Sequence, residues 1–262
     1  MEVVIRPGPV TRDRSERDQA NMLEKGLRIL QAYRPGDRKL RLSDLVDRTG
    51  MPKSTVHRLT QVLIENHLLT LDADGYELGI GLFELSGRVP IKQGLREIAL
   101  PYLQDLFLAT HETVHLGIRD GREVVYVEKI YGHSDLALPS RVGGRLPLTC
   151  TAVGKALLAF SSDEVQELIL SRPLRRITEK SIVDPERLRR ELAEIRTTGL
   201  AFEREEVTPG RACVAAPVLV QGEALAAISI SVPITQYTVP PLAAAVKTAA
   251  LALSRQLRAA QG

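Results

Sequence analysis

Apolar side chains recur at near-helical spacing over residues 21–33, at Met22, Leu23, Leu27, Ile29 and Leu30, and Arg34-Pro35-Gly36-Asp37 ends that helix. A short second helix is expected over 44–49, with Ser43 as its N-cap and Gly50 as the closing turn. Pro52 suits the first position of a third helix, whose Val56, Leu59, Val62 and Leu63 form one apolar stripe. Short helix, glycine turn, longer helix is the pattern of a helix-turn-helix. The next residues, Leu68 to Leu71, Asp72-Ala73-Asp74-Gly75 and Tyr76 to Leu78, predict a β-hairpin of the winged variety.

Residues 80–88 predict a linker helix, and 89–94, with Pro90 and Gly94, a break. Beyond it the pattern alternates between periods. Helices are expected over 95–110, 152–160, 163–170, 185–198 and 241–259, and strands over 113–118, 123–130, 200–204, 213–220 and 224–232. A glycine-rich loop at 141–148 leads into the helix at 152. Helices mixed with mostly antiparallel strands indicate an α+β second domain. The expected division is a flexible N-terminal arm at 1–20, a winged helix-turn-helix domain at 21–79, a linker and break at 80–94, and a ligand-binding domain at 95–262.

Composition narrows this little: 262 residues, 44% hydrophobic and 26% charged, suit two globular domains with real cores. Charge is more informative. With 35 basic and 32 acidic residues the net charge is only +3, so any nucleic-acid surface must be local. Between Arg34 and Thr60 stand seven Lys or Arg (Arg34, Arg38, Lys39, Arg41, Arg48, Lys53, Arg58) against Asp37, Asp44 and Asp47. The third helix exposes Lys53, Ser54, Thr55, His57, Arg58 and Gln61 opposite its apolar stripe, and these can reach phosphates and base edges while Arg41 holds phosphate. The same residues could instead be the solvated face of a packing module. The hairpin carries Asp72, Asp74 and Glu77 and no basic residue, so DNA phosphates are expected to repel it.

Cys150 and Cys213 are far apart with no C-x-x-C spacing, as expected of a protein from the reducing cytoplasm without a disulfide framework. The N-terminus lacks a signal-peptide pattern. The uncharged stretch Ala224 to Val246 is broken by prolines, and no membrane partner is expected.

Enzymatic motifs fail on geometry. His111-Glu112-Thr113-Val114-His115 spells H-E-x-x-H, which binds zinc only when both histidines lie on one helical turn. Here Leu116 to Ile118, an Arg119-Asp120-Gly121 turn and Glu123 to Val127 read as a hairpin. In a strand the two histidines would stand roughly 13 Å apart, too far to share one metal. Gly154-Lys155 is no phosphate loop, because Thr149 stands where glycine is needed and Ala156 replaces the required hydroxyl.

Five blocks, in order, carry a family resemblance. They are LEKGLRILQAY, LSDLVDRTGMPKSTVHRLTQVLIENHLL, RVGGRLPLTCTAVGKALLAF, GLAFEREEVTPGRACVAAPV and AAISISVP. Together they resemble the IclR family of bacterial transcriptional regulators from about Met22 to the C-terminal helix. The resemblance implies a winged helix-turn-helix domain, a linker helix and a GAF-like effector-binding domain, assembled as a homodimer or homotetramer. It also implies pocket positions at Leu146, Ala152, Val153, Glu203, Cys213, Ser229 and Ser231. Glu203 departs from the family, where a smaller acid is usual.

The residues agree on a bound acid. Gly143, Gly144 and Pro147 shape a loop into the helix at Ala152, and free amides at a helix start favour a carboxylate. Ser229 and Ser231, two apart in a strand, face the same way. The expectation is a repressor on a palindromic double-stranded operator, released by a small carboxylic acid, with no catalytic residue, metal or cofactor. The competing readings are a metabolite sensor that does not bind DNA, and an enzyme using His111-Glu112-His115 or one of the two cysteines.

Overall fold

The computed structural model describes residues 22–89, 94–132 and 138–260, which form two compact units, one ending before and the other beginning at Gly94. The expected arm at 1–20 and residues 90–93 of the expected break lie outside the described residues.

In the first unit α1 (Met22–Gln31), α2 (Leu42–Thr49) and α3 (Lys53–Glu65) precede a hairpin of β1 (Leu69–Asp72) and β2 (Gly75–Leu78). Ile29, Leu40, Leu45, Met51, Val56, Leu59, Leu63, Leu69 and Tyr76 form its core. Leu40 bridges Tyr76, which ties the segment before α2 to the wing. The glycine turn is as read: Gly50 closes α2 in the left-handed region at φ 66°, and its N–H donates to Val46 O at 2.8 Å.

Four local expectations need correction. The second helix begins at Leu42, and Ser43 is not its cap. Instead the Arg41 amide donates to the Asp44 carboxylate at 2.8 Å, which secures the first turn from inside the helix. Pro52 is the N-cap of α3, not its first helical residue. Val62 is 49% exposed, and Thr60 takes the buried position instead. On α1 only Ile29 is buried, while Met22, Leu23 and Leu27 stay exposed, so the apolar periodicity there marks a face that this unit does not cover.

After a short helix, α4 (Gly81–Gly87), the second unit begins with α5 (Leu95–Thr110). Its strands are β3 (Thr113–Asp120), β4 (Glu123–Ile130), β5 (Arg145–Pro147), β6 (Ala201–Arg204), β7 (Arg211–Val220) and β8 (Glu223–Pro233). They form one antiparallel six-stranded sheet in the order β5-β4-β3-β8-β7-β6.

The two faces of this sheet follow from strand alternation. Val114, Leu116 and Ile118 of β3, Val214, Ala216 and Val218 of β7, and Ile228, Ile230 and Val232 of β8 pack beneath α5 and the C-terminal α9 (Val239–Ala259). The intervening residues face α6 (Ala152–Ala159), behind which lie α7 (Asp163–Leu170) and α8 (Pro185–Thr198). Two glycines let α6 approach closely. A Cβ on Gly117 would stand 2.7 Å from both Val124 Cγ1 and Val153 Cγ1, and one on Gly154 would stand 2.2 Å from Leu148 O.

Candidate functional site

The recognition surface comes first along the chain. α3 buries Val56, Leu59, Thr60 and Leu63 and exposes Lys53, Ser54, His57, Arg58 and Gln61, with Thr55 half-buried at its edge. Ser54, His57, Arg58 and Gln61 stand at helical i, i+3, i+4, i+7 spacing and so share one face. Arg41 is exposed at the start of α2.

Two of the seven cations serve the fold instead. Arg48 pairs with Asp37 and donates to Ala32 O at 3.0 Å, which pins the end of α1 to α2. Lys39 forms ion pairs with Asp72 and, at 3.6 Å, with Asp74. The wing is therefore less repulsive to phosphate than its own sequence suggested, because its counter-charge comes from a residue thirty-three positions earlier.

In the second unit all seven positions, Leu146, Ala152, Val153, Glu203, Cys213, Ser229 and Ser231, line a single narrow cleft that is partly open to solvent. Strand register assembles it. Glu203, Cys213 and Ser231 are direct partners across β6, β7 and β8, and Ser229 pairs with His115 of β3 in the adjacent row. The α6 start closes one side. Thr151 caps the helix, its hydroxyl accepting from the Gly154 amide at 3.0 Å and donating to Pro147 O at 3.2 Å. The amides of Ala152 and Val153 remain outside the helical ladder.

His115, Tyr126, Ser140 and Arg211 also line the cleft and were missed from sequence. The His115 imidazole lies between Ser140 Oγ at 2.8 Å from Nε2 and Ser229 Oγ at 3.4 Å from Nδ1. Burial, with Lys129 and Arg211 nearby, holds its pKa down to about 3, so the ring is neutral. Pairing of His115 with Ser229 across non-adjacent segments is the signal that could have revealed it, and only the sheet register supplies that.

Glu203 is buried, which raises its pKa against the opposing effects of the Cys213 thiol and the Glu206 and Val207 amides. Its Oε1 accepts from those amides at 2.6 and 3.3 Å and so fixes the turn after β6. Behind the cleft Lys155, fully buried on α6, lies 2.7 Å from Glu206 Oε1 and 2.6 Å from Glu191 Oε1 of α8.

The zinc-like motif is split between elements. His111 is the left-handed C-cap of α5 and His115 points from β3 into the cleft. Among the described residues no group of three His, Cys, Asp or Glu could hold a metal ion. Nor is either cysteine poised as a nucleophile. Cys150 is buried, with its thiol 3.1 Å from Arg175 O, and burial and Glu203 push the Cys213 thiol well up. Among the described residues no helix is long and apolar enough to cross a membrane.

A winged helix-turn-helix with a basic recognition face, followed by a separate unit with a cleft lined by convergent polar groups, defines a DNA-binding regulator of the ligand-responsive class. The comparisons with known proteins agree. The model of the IclR helix-turn-helix domain matches residues 22–73 and that of the bacterial transcriptional regulator IclR C-terminal domain matches 89–255. The chain belongs to the IclR family of bacterial transcriptional regulators.

It is 36% identical to the HTH-type transcriptional regulator KipR of Bacillus subtilis over 224 residues, which cover 83% of this chain and 90% of that one. It is 32% identical to the HTH-type transcriptional repressor AllR of Klebsiella pneumoniae, over 90% of this chain and 89% of that one. An IclR homolog of Microbacterium hydrocarbonoxydans, solved in complex with 4-hydroxybenzoate, superposes with a TM-score of 0.83 at 31% identity and covers 91% of this chain and all of its own.

Proposed function

We propose that this regulator is a cytoplasmic, non-enzymatic repressor that binds a palindromic operator as a homodimer or homotetramer and is released by a small carboxylic acid. The observation that carries the ligand half is convergence: seven residues spread from 146 to 231 line one cleft beside the α6 amides. Those seven are its effector contacts. The division of labour is a DNA-binding unit at 21–79, a linker at 80–94 and an effector-binding unit at 95–262.

On the DNA side, Lys53, Ser54, Thr55, His57, Arg58 and Gln61 enter the major groove and Arg41 holds phosphate. The exposed apolar side chains Leu23, Leu27, Phe83 and Leu85 support assembly with a second copy. A ligand controls DNA binding only through its differential affinity for the two arrangements of the paired units.

A gel-shift titration of the full chain against the DNA upstream of its own and neighbouring genes, at stated salt, with a panel of carboxylic acids, tests this reading. Specific retardation released by an acid is the expected result. Retardation of no fragment would favour a metabolite sensor that does not bind DNA.

A further inference from the structure

The cleft carries more polar chemistry than one carboxylate requires. Its floor is a grid set by strand register: Glu203, Cys213 and Ser231 in one row, Ser229 and His115 in the next. Neighbouring strands lie about 4.8 Å apart and same-face residues about 6.6 Å apart along a strand, so donors and acceptors recur at short intervals. Ser231 is fully buried, and the neighbouring Cys213 thiol is the side chain its hydroxyl meets. Glu203 cannot turn away, because the Glu206 and Val207 amides hold one of its oxygens. An acceptor carboxyl in this position calls for hydroxyl donors from the ligand and disfavours a second acid laid on it.

An aromatic acid fits this floor poorly. Its ring would lay C–H groups over the Glu203 carboxyl and the Ser231 hydroxyl and add no hydrogen bond to either. Tyr126, the aromatic side chain of the cleft, already leans on His115, with ring centroids 5.1 Å apart and planes at 52°. Nearby cations favour an anionic ligand over a neutral one. Arg211, 1% exposed, lines the cleft two residues from Cys213 on the same strand face. Lys129 stands opposite His115 in the β3–β4 register.

Resting on the effector cleft proposed above, we infer that its ligand is a small polyhydroxylated carboxylate, a sugar acid rather than an aromatic or plain aliphatic one. Its carboxylate faces the first turn of α6 within the field of Arg211 and Lys129. Its hydroxyls pair with Glu203, Ser229 and Ser231, and His115 holds the Ser229 hydroxyl in place from behind.

Calorimetric titration of the full chain with D-gluconate, L-threonate, 4-hydroxybenzoate, hexanoate and D-glucose tests the ligand class. A sugar acid is expected to bind at least ~10-fold tighter than hexanoate or 4-hydroxybenzoate, because a site built around hydroxyls rejects analogues that lack them, and glucose should not bind. Ser231→Ala removes a hydroxyl whose internal contact is the Cys213 thiol. It should weaken sugar-acid binding about 10-fold and hexanoate binding far less, because only the sugar acid brings hydroxyls to this position. Tighter binding of 4-hydroxybenzoate or hexanoate than of either sugar acid would overturn the inference and leave the effector cleft standing. Binding of none of the five would overturn both, and so would binding that the double Ser229→Ala, Ser231→Ala variant does not alter.

Discussion

Lys155 Nζ lies 2.7 Å from Glu206 Oε1 in the interior of the second unit, where the lysine is fully buried. Burial works against the ammonium, but Glu206 and Glu191 outweigh it and hold the Lys155 pKa above its ordinary value. Removing the cation leaves the buried Glu206 and the half-buried Glu191 without their common partner. Lys155→Met is therefore expected to cost about 3–5 kcal/mol of unfolding free energy, read by urea denaturation. A loss below the scatter of the fits would show that the network contributes nothing.

Glu206 has the opposite problem. Burial raises its pKa to about 7 despite Lys155, so the folded state holds a proton that the unfolded chain releases near 4.5. Its contribution to stability is full below pH 4.5 and is lost as pH rises to about 7. Glu206→Gln should therefore gain melting temperature relative to the parent between pH 5 and pH 8. A difference that stays constant across that range would refute the assignment.

His115 titrates the other way. Its folded pKa of about 3 lies below the ordinary 6.5, so its contribution is present above pH 6.5 and disappears as pH falls toward 3. The melting advantage of the parent over His115→Gln should shrink on acidification from pH 7.5 to pH 5.

Arg58 is exposed on the face of α3 that it shares with Ser54, His57 and Gln61, the face proposed above to read DNA. Arg58→Ala should weaken operator binding by ~10- to 100-fold without altering ligand binding, whereas the double Ser229→Ala, Ser231→Ala variant should do the reverse. Loss of both activities in both variants would dismantle the division of labour between the two units.

Lys39 provides a subtler test, because it pairs with Asp72 and Asp74 of the wing and is not one of the α3 residues proposed to read DNA. Lys39→Gln should uncover the acidic wing and weaken operator binding about 3- to 10-fold at low salt, with the deficit shrinking as salt rises. An unchanged affinity at every salt concentration would place the wing away from the phosphates.

Much of this protein is legible one segment at a time. The helix-turn-helix, the wing, the long helices and nearly all the strands follow from periodicity, turn residues and caps, because these signals act over a few neighbouring residues. The errors were local too: Asp44 took the capping role given to Ser43, and Val62 faces solvent because Thr60 fills the inner position. The pocket positions came from the family resemblance, since nothing between residues 146 and 231 announces by spacing that they meet.

What the chain by itself determined is therefore its elements, their order and the residue types available on each face. Only the tertiary structure decided who meets whom. Strand order β3-β8-β7-β6 places His115 beside Ser229 and Glu203 beside Cys213, and chain reversal carries Lys39 to the wing and Lys155 to Glu206. Contacts of this kind pair residues that are distant in sequence, and their energies depend on burial and register that exist only after the sheet has formed.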